Sequence, residues 1–179
     1  MDKKAQVQYK TNKTIDGFVK QLSPYVRNRL THSLGVASDA VSLCQGLGLN
    51  DKLSLAAGMG HDVGHGPFSH TFEYYANARL KKVYNNDQIK FSHPVFSVDV
   101  LQKFERDEPE HANLTLETYL AIVKHSSIEL TPKNIANYPW ECFCNYWGDK
   151  LDYTFKDSND SKRNYLPELQ ALPFPKEYY

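Results

Sequence analysis

Apolar residues recur along this chain at helical spacing, three and four residues apart, and no stretch sustains the alternation of a strand. A short helix is predicted over 15–22. A longer one opens at Ser23-Pro24, where Ser takes the cap and Pro the first helical position. Its apolar positions are Tyr25, Val26, Leu30, Leu34, Val36, Ala40, Val41 and Leu43, and it ends near Gly46 and Gly48. Asn50 caps a helix from Asp51 to about Gly60, whose Leu53, Leu55, Ala56 and Ala57 predict a buried element. After Pro67 the spacing of Phe68, Phe72, Tyr75, Ala76, Leu80 and Val83 predicts another, closed by the loop Asn85-Asn86-Asp87. Ser92 caps a helix through Val95, Val98, Val100, Leu101 and Phe104, ended by Asp107-Glu108-Pro109-Glu110. Thr115, with Glu117 behind it, opens one through Leu120, Ile122 and Val123 to His125. Residues 126–138, with Pro132 inside and Pro139 after them, read as a loop, and the last helix runs from Trp140 to about Phe155. The fold class is all-α, a bundle of about six or seven helices.

At 179 residues the chain is long enough for one domain with a real core. Residues 1–13 are polar and read as a flexible N-terminus, 14–160 as the domain, and 161–179, with Pro167, Pro173 and Pro175, as an extended tail. Formal net charge is zero, from 21 basic and 21 acidic residues, so bulk charge indicates no nucleic-acid or membrane partner. Any anion must be held by local clusters. No apolar run is long enough for a membrane span, and Met1-Asp2-Lys3-Lys4 begins no signal peptide. The odd set Cys44, Cys142 and Cys144 fits reduced thiols in a cytoplasm-like compartment and is too poor for a structural zinc site.

The chemistry concentrates in one stretch, from Gly58 through His61-Asp62-Val63-Gly64-His65-Gly66-Pro67 to Glu73, which carries three of the seven histidines. Gly and Pro stop a helix abruptly there. Imidazoles and a carboxylate at such a stop suit a metal ion or a phosphate pocket. Taken alone, His61-Asp62 is as readily a helix-end His beside an acid, and His32 as readily a core histidine bonded to backbone. Asp149 changes the balance, because it sits in an aromatic-rich helix and aspartates are rarely buried unless paired or coordinating a cation. His32, His61, Asp62 and Asp149 together make a mixed nitrogen and oxygen set suited to Mn, Fe, Ni, Co or Zn. The spacing of His61 and His65 also matches a zincin pair, but Gly64, Gly66 and Pro67 make one continuous helix through both improbable.

Arg27, Arg29 and Lys150 flank these ligands, either as solvated charge or as phosphate binders. Two arginines at i and i+2 cannot share a helix face, and Arg29 is the one placed with His32. His65 and His70 are candidates for a general acid or a phosphate donor. Tyr153 and Asp157, near Asp149 and Lys150 in helical register, suit a ribose, although Tyr153 fits core packing equally well. His93 and His125 are weaker candidates, and His111 reads as surface.

Together these residues resemble a known family. Arg27-Asn28-Arg29-Leu30-Thr31-His32-Ser33-Leu34, followed by His61-Asp62-Val63-Gly64-His65-Gly66-Pro67-Phe68-Ser69-His70, is similar to the HD-domain deoxynucleoside triphosphate triphosphohydrolases, the dGTPase-like enzymes. Phe91-Ser92-His93, then Asn113-Leu114-Thr115-Leu116-Glu117 through Val123-Lys124-His125, and Asp149-Lys150-Leu151-Asp152-Tyr153 through Asp157 follow in the same order. The resemblance covers roughly 23–160.

The resemblance implies an HD-domain helical bundle. It implies a divalent metal ion (Mn, Fe, Co, Ni, Mg or Zn) held by His32, His61, Asp62 and Asp149. His65 would be the catalytic acid or proton relay, with Glu73 in the position of its supporting acid. Arg29, His70 and Lys150 would hold the triphosphate, with His93 near the phosphates, and Tyr153 and Asp157 would contact the deoxyribose. Water would attack the α-phosphorus of a nucleotide substrate, giving a deoxynucleoside and tripolyphosphate. It further implies a homo-oligomer in the cytoplasm. Members of that family run well beyond this length, so a compact, phage-type enzyme fits. The alternatives are a 5′-nucleotidase or other nucleotide phosphohydrolase of HD type, and a nucleotide-binding regulatory protein without turnover.

Overall fold

The computed structural model describes residues 29–108 and 112–164, with side chains placed through Phe155. The helix predicted over 15–22, the Ser23-Pro24 start, Arg27, Pro109-Glu110, His111 and the tail beyond Asn164 lie outside the described residues. Asp157 lies in a helix, but its side chain is outside them too.

Among the described residues the fold is all-α, with seven helices. They are α1 (Arg29–Leu47), α2 (Asp51–Gly60), α3 (His70–Tyr84), α4 (His93–Asp107), α5 (Leu116–Lys124), α6 (Pro132–Asn137) and α7 (Trp140–Asn164). No helix among these residues is long and apolar enough to cross a membrane.

Local capping explains several boundaries. The side chain of Asn50 accepts from the Leu53 amide at 3.2 Å, and that of Thr115 accepts from the Thr118 amide at 3.4 Å. Ser92 occupies the cap of α4 but makes no side-chain cap hydrogen bond; Pro94 sits in the first turn of that helix instead. The stretch 126–138, expected as a loop, contains α6. Thr131 Oγ1 accepts from the Asn134 amide at 3.2 Å and Pro132 opens the helix, so the two prolines mark a start where a break was expected. The helix expected directly after Pro67 begins at His70, because Phe68 and Ser69 adopt positive φ of 64° and 53°. The last helix continues past Phe155 to Asn164.

The core lies where α2, α5 and α7 meet: Ala57, Ala121, Ile122, Ile128, Cys142 and Phe143, with Leu53, Val98, Leu101 and Tyr146 packed on it. The expectation of a buried helix before the central stretch holds for one face of α2, which buries Ser54, Ala57, Gly58 and Gly60 while Leu55 stands exposed. α1 packs on both α2 and α7. At Gly58 the approach is so close that a Cβ would lie 2.6 Å from the Cα of Ala37, which only glycine permits. This brings His32 of α1, the C-terminal end of α2 and Asp149 of α7 to one place. α3 differs from the rest. None of its residues is buried, and it is tied back through Asn77, whose Nδ2 donates to the Phe91 carbonyl at 3.0 Å while its Oδ1 accepts from the Phe91 amide at 2.6 Å.

Candidate active site

α2 stops at Gly60 and the chain turns through residues 61–64. His61 and His65 therefore do not share one continuous helix, and the zincin arrangement is absent. Ser97 of α4 holds this turn from behind: its hydroxyl donates to the His61 carbonyl at 2.8 Å and accepts from the Gly64 amide at 2.9 Å. A Cβ on Gly64 would fall 2.2 Å from the Ser97 nitrogen, so the turn can lie against α4 only with glycine there. Ser97 has no signal of its own in the sequence, since its partners come from a turn far away along the chain.

The turn presents His61 and Asp62. His61 is buried, and its Nδ1 donates to the Gly58 carbonyl at 2.7 Å. That fixes the tautomer and leaves the Nε2 lone pair facing inward, where it has no hydrogen-bond partner. Asp62 Oδ2 lies 3.3 Å from it, and Asp149 Oδ1 4.0 Å. His32 Nε2 lies 3.2 Å from Asp149 Oδ1 and 3.8 Å from Asp62 Oδ2. Two donors each about 2.1 Å from one ion are about 3 Å apart at a right angle and about 4.2 Å apart when opposite. These four separations fall within that range, and the orphaned His61 nitrogen is the atom a metal would satisfy. The residues present thus fit a divalent ion held by imidazole and carboxylate.

The electrostatics agree. Burial pushes the Asp62 carboxyl up, but the His61 imidazole and the Arg29 guanidinium outweigh it and hold the group well below the usual carboxylate range. Burial likewise raises Asp149, and the hydrogen bond from His32 with the charges of His61, His125 and Lys150 brings it down below that range. Both carboxylates are ionised at neutral pH. His32 has a partner that sequence reasoning did not assign: its Nδ1 donates to Asp152 Oδ2 at 2.7 Å, from a carboxylate with no solvent exposure. The signal was there in a second aspartate one helical turn after Asp149.

Beside these donors stands a group of histidines. His65 is buried, its Nε2 3.4 Å from Asp62 Oδ1, and its ring stacks on His93 at 3.8 Å between centroids. Burial lowers its pKa to about 2 against the attraction of Asp62, so the imidazole is neutral. The hydrogen bonds of Glu73 run to His93 and His70. The carboxylate accepts from the His93 amide at 3.2 Å, from His93 Nδ1 at 2.8 Å and from His70 Nδ1 at 3.5 Å. The side chain of His70 is 57% exposed, so it faces the approach to the site.

Arg29 is buried and donates to both Asp62 Oδ2 and Ser69 Oγ, which joins the start of α1 to the positive-φ turn before α3. Lys150 Nζ lies 3.1 Å from Asp149 Oδ2 and 5.4 Å above the Tyr146 ring. Tyr153, one turn beyond Asp149, is exposed. His125, a weaker candidate in the sequence, stands at the centre. It is buried, its Nδ1 donates to the Ile122 carbonyl at 2.7 Å, and its Nε2 lies 3.7 Å from Asp62 Oδ1. Burial lowers its pKa to about 4.

The sequence model of the HD domain matches residues 29–157. Among curated proteins, the chain is 31% identical over 156 residues to a deoxyguanosinetriphosphate triphosphohydrolase-like protein of Clostridium tetani, which covers 87% of this chain and 42% of that protein. It is 38% identical over 124 residues to one of the same name from Geobacter metallireducens, covering 68% and 30%. A Leptospira interrogans protein of that name is 30% identical over 184 residues, covering 97% and 46%. The chain spans less than half the length of these relatives.

Proposed function

The chain belongs to the HD-domain family of phosphohydrolases, and from that premise we propose that it hydrolyses deoxynucleoside triphosphates to deoxynucleoside and tripolyphosphate. The observation that carries this reading is the donor set of His32, His61, Asp62 and Asp149, with an orphaned imidazole nitrogen at its centre and cationic side chains at its edge. The names of the curated relatives support the choice of substrate.

These four residues would hold a divalent ion, which would supply a Lewis acid to polarise a phosphate and acidify a water. The remaining chemistry belongs to the chain. Arg29 and Lys150 offset the charge of the triphosphate, and Arg29 offers a planar fork matched to phosphate oxygens. His70 adds a donor at the exposed side. His65, neutral through burial, takes the proton of the attacking water as the new oxygen bond to the α-phosphorus forms. Asp62, 3.4 Å away, stabilises the imidazolium that results. The bond from that phosphorus to the deoxyribose 5′ oxygen breaks, and the proton returns to that oxygen, which leaves as the nucleoside hydroxyl. Glu73 orients His93 and His70 beside the phosphates, and Tyr153 and Asp157 contact the sugar. Apolar side chains exposed on α3 and α4, such as Phe72, Tyr75, Phe96 and Val100, support assembly into a homo-oligomer. A cytoplasmic setting belongs to the same reading, in keeping with the free cysteines Cys44, Cys142 and Cys144.

Phosphorus NMR of the Mn-loaded protein with each of the four dNTPs tests the reaction. Tripolyphosphate appearing with nucleoside is the expected result. Pyrophosphate or orthophosphate as the first product overturns the proposed cut while leaving the phosphohydrolase family intact.

A further inference from the structure

Ser69 occupies the N-cap of α3, where a serine ordinarily accepts a hydrogen bond from the amide two or three residues on. Ser69 makes no such bond, because its φ of 53° and ψ of −125° turn it out of the extended conformation that capping uses. Glycine adopts those angles freely, and a side chain makes them costly. The backbone is held there from both sides. The Ser69 amide donates to the Gly66 carbonyl at 3.1 Å, and its carbonyl accepts from the Glu73 amide at 3.2 Å. A serine thus stands where capping gives no reason for it and the backbone favours glycine.

The hydroxyl has a different partner. Arg29 Nη2 donates to Ser69 Oγ while its Nη1 donates to Asp62 Oδ2. Arg29 Nε is buried and has no hydrogen-bond partner among the described residues, so the two Nη contacts aim the guanidinium. Both partners lie on the connection between α2 and α3. With Asp62 alone, the group would be drawn onto a proposed metal ligand; Ser69 holds its other nitrogen. Each Nη carries two protons, so each keeps one for a phosphate oxygen. An arginine already held in place loses less side-chain freedom when it binds phosphate than one free to rotate.

We propose that Ser69 is a positioning residue: its hydroxyl holds the Arg29 guanidinium ready for the polyphosphate chain of the substrate. This rests on the reading above, which assigns Arg29 to the triphosphate, and adds the residue that aims it. The unfavourable backbone conformation directs Oγ to Arg29 and away from the amides of α3.

Calorimetry of inorganic tripolyphosphate binding to the Mn-loaded full chain, beside urea unfolding and dNTP kinetics, tests the proposal. Ser69→Ala removes the hydroxyl and keeps the backbone cost, whereas Ser69→Gly removes both. Each should weaken tripolyphosphate binding about tenfold, the order of one hydrogen bond to a charged group. The glycine variant should nevertheless unfold at a higher urea concentration than the alanine variant. With dNTPs the same factor should appear in KM while kcat stays unchanged, since the contact serves bound substrate and transition state alike. In an Arg29→Met background, with no guanidinium left to aim, Ser69→Gly should leave KM where it was. Unchanged tripolyphosphate affinity and KM in the two folded serine variants overturn the proposal. An equal loss with and without Arg29 puts the hydroxyl on the phosphate itself and also overturns it. The expected losses in a protein that releases pyrophosphate or orthophosphate first leave Ser69 standing and remove the proposed cut.

Discussion

Asp152 accepts the Nδ1 proton of His32 at 2.7 Å, from the same helix that sends Asp149 to within 3.2 Å of the opposite nitrogen. One turn of α7 thus grips both sides of one imidazole on α1. A carboxylate behind a ligand histidine fixes its tautomer and raises its basicity, and removing such a partner weakens metal binding about 10- to 100-fold. Asp152→Ala should lower Mn(II) affinity by that order in calorimetry. Asp152→Asn, which still accepts the hydrogen bond, should lose less. Equal affinity in all three proteins would show that Asp152 serves packing alone.

The proposed metal ligands and the proposed proton relay should separate in their effects. His61→Ala and Asp149→Ala should each abolish bound metal and dNTP hydrolysis together. His65→Ala should keep the metal and lose about 10²- to 10⁴-fold in kcat, the range for a general acid or base. Metal content by elemental analysis beside single-turnover kinetics makes the comparison. A fully active His65→Ala removes that residue from the mechanism.

Two glycines give opposite results with the same substitution. Gly64→Ala drives a Cβ to 2.2 Å from the Ser97 backbone, so the turn carrying His61 and Asp62 must move. We expect a loss of more than about 2 kcal/mol and weakened metal binding. Gly46, inside α1, has nothing within 4 Å of an added Cβ. Gly46→Ala should stabilise by about 0.5–1 kcal/mol through helix propensity. Urea unfolding midpoints of the two variants decide the matter.

His125 makes the metal-free protein sensitive to acid. Its pKa falls from 6.5 to about 4 on folding because burial disfavours the charged ring. A depressed histidine pKa means that the unfolded chain binds more protons between those values. Stability from this group is therefore full above pH 6.5 and is lost as pH falls towards 4, by about 3 kcal/mol in all. Asp62 and Asp149, also depressed, extend the loss to lower pH. Unfolding measured from pH 7.5 to 4 should show the decline, and His125→Gln should make it shallower, the remainder coming from His65 and His93, whose pKa values burial also lowers. A parallel decline in both proteins would place the acid sensitivity elsewhere.

Much of the fold is legible along the chain because helices are local. Asn50 and Thr115 announce their helices by hydrogen bonds to amides three residues on, and apolar spacing marks the faces that pack. The same local logic at Thr131-Pro132 opens α6, where Pro was read as a break. The start of α3 was less legible, since it depends on positive φ at Phe68 and Ser69, held beside the Arg29 guanidinium from another helix.

The site divides in the same way. Residue types and order offered His32, His61, Asp62 and Asp149 as ligand candidates beside equally ready bland readings, and an aspartate inside an aromatic-rich helix tipped the balance towards ligands. Only the tertiary structure set Asp152 behind His32, Ser97 behind the His61 turn, His125 against the far oxygen of Asp62, and Glu73 on His93 and His70. Those partners come from different helices or loops. Sequence spacing governs what one helix presents on its face. Which faces meet is decided by close packing, here by α1 lying against Gly58 of α2 and along α7, and that packing turns a set of ligand types into a site.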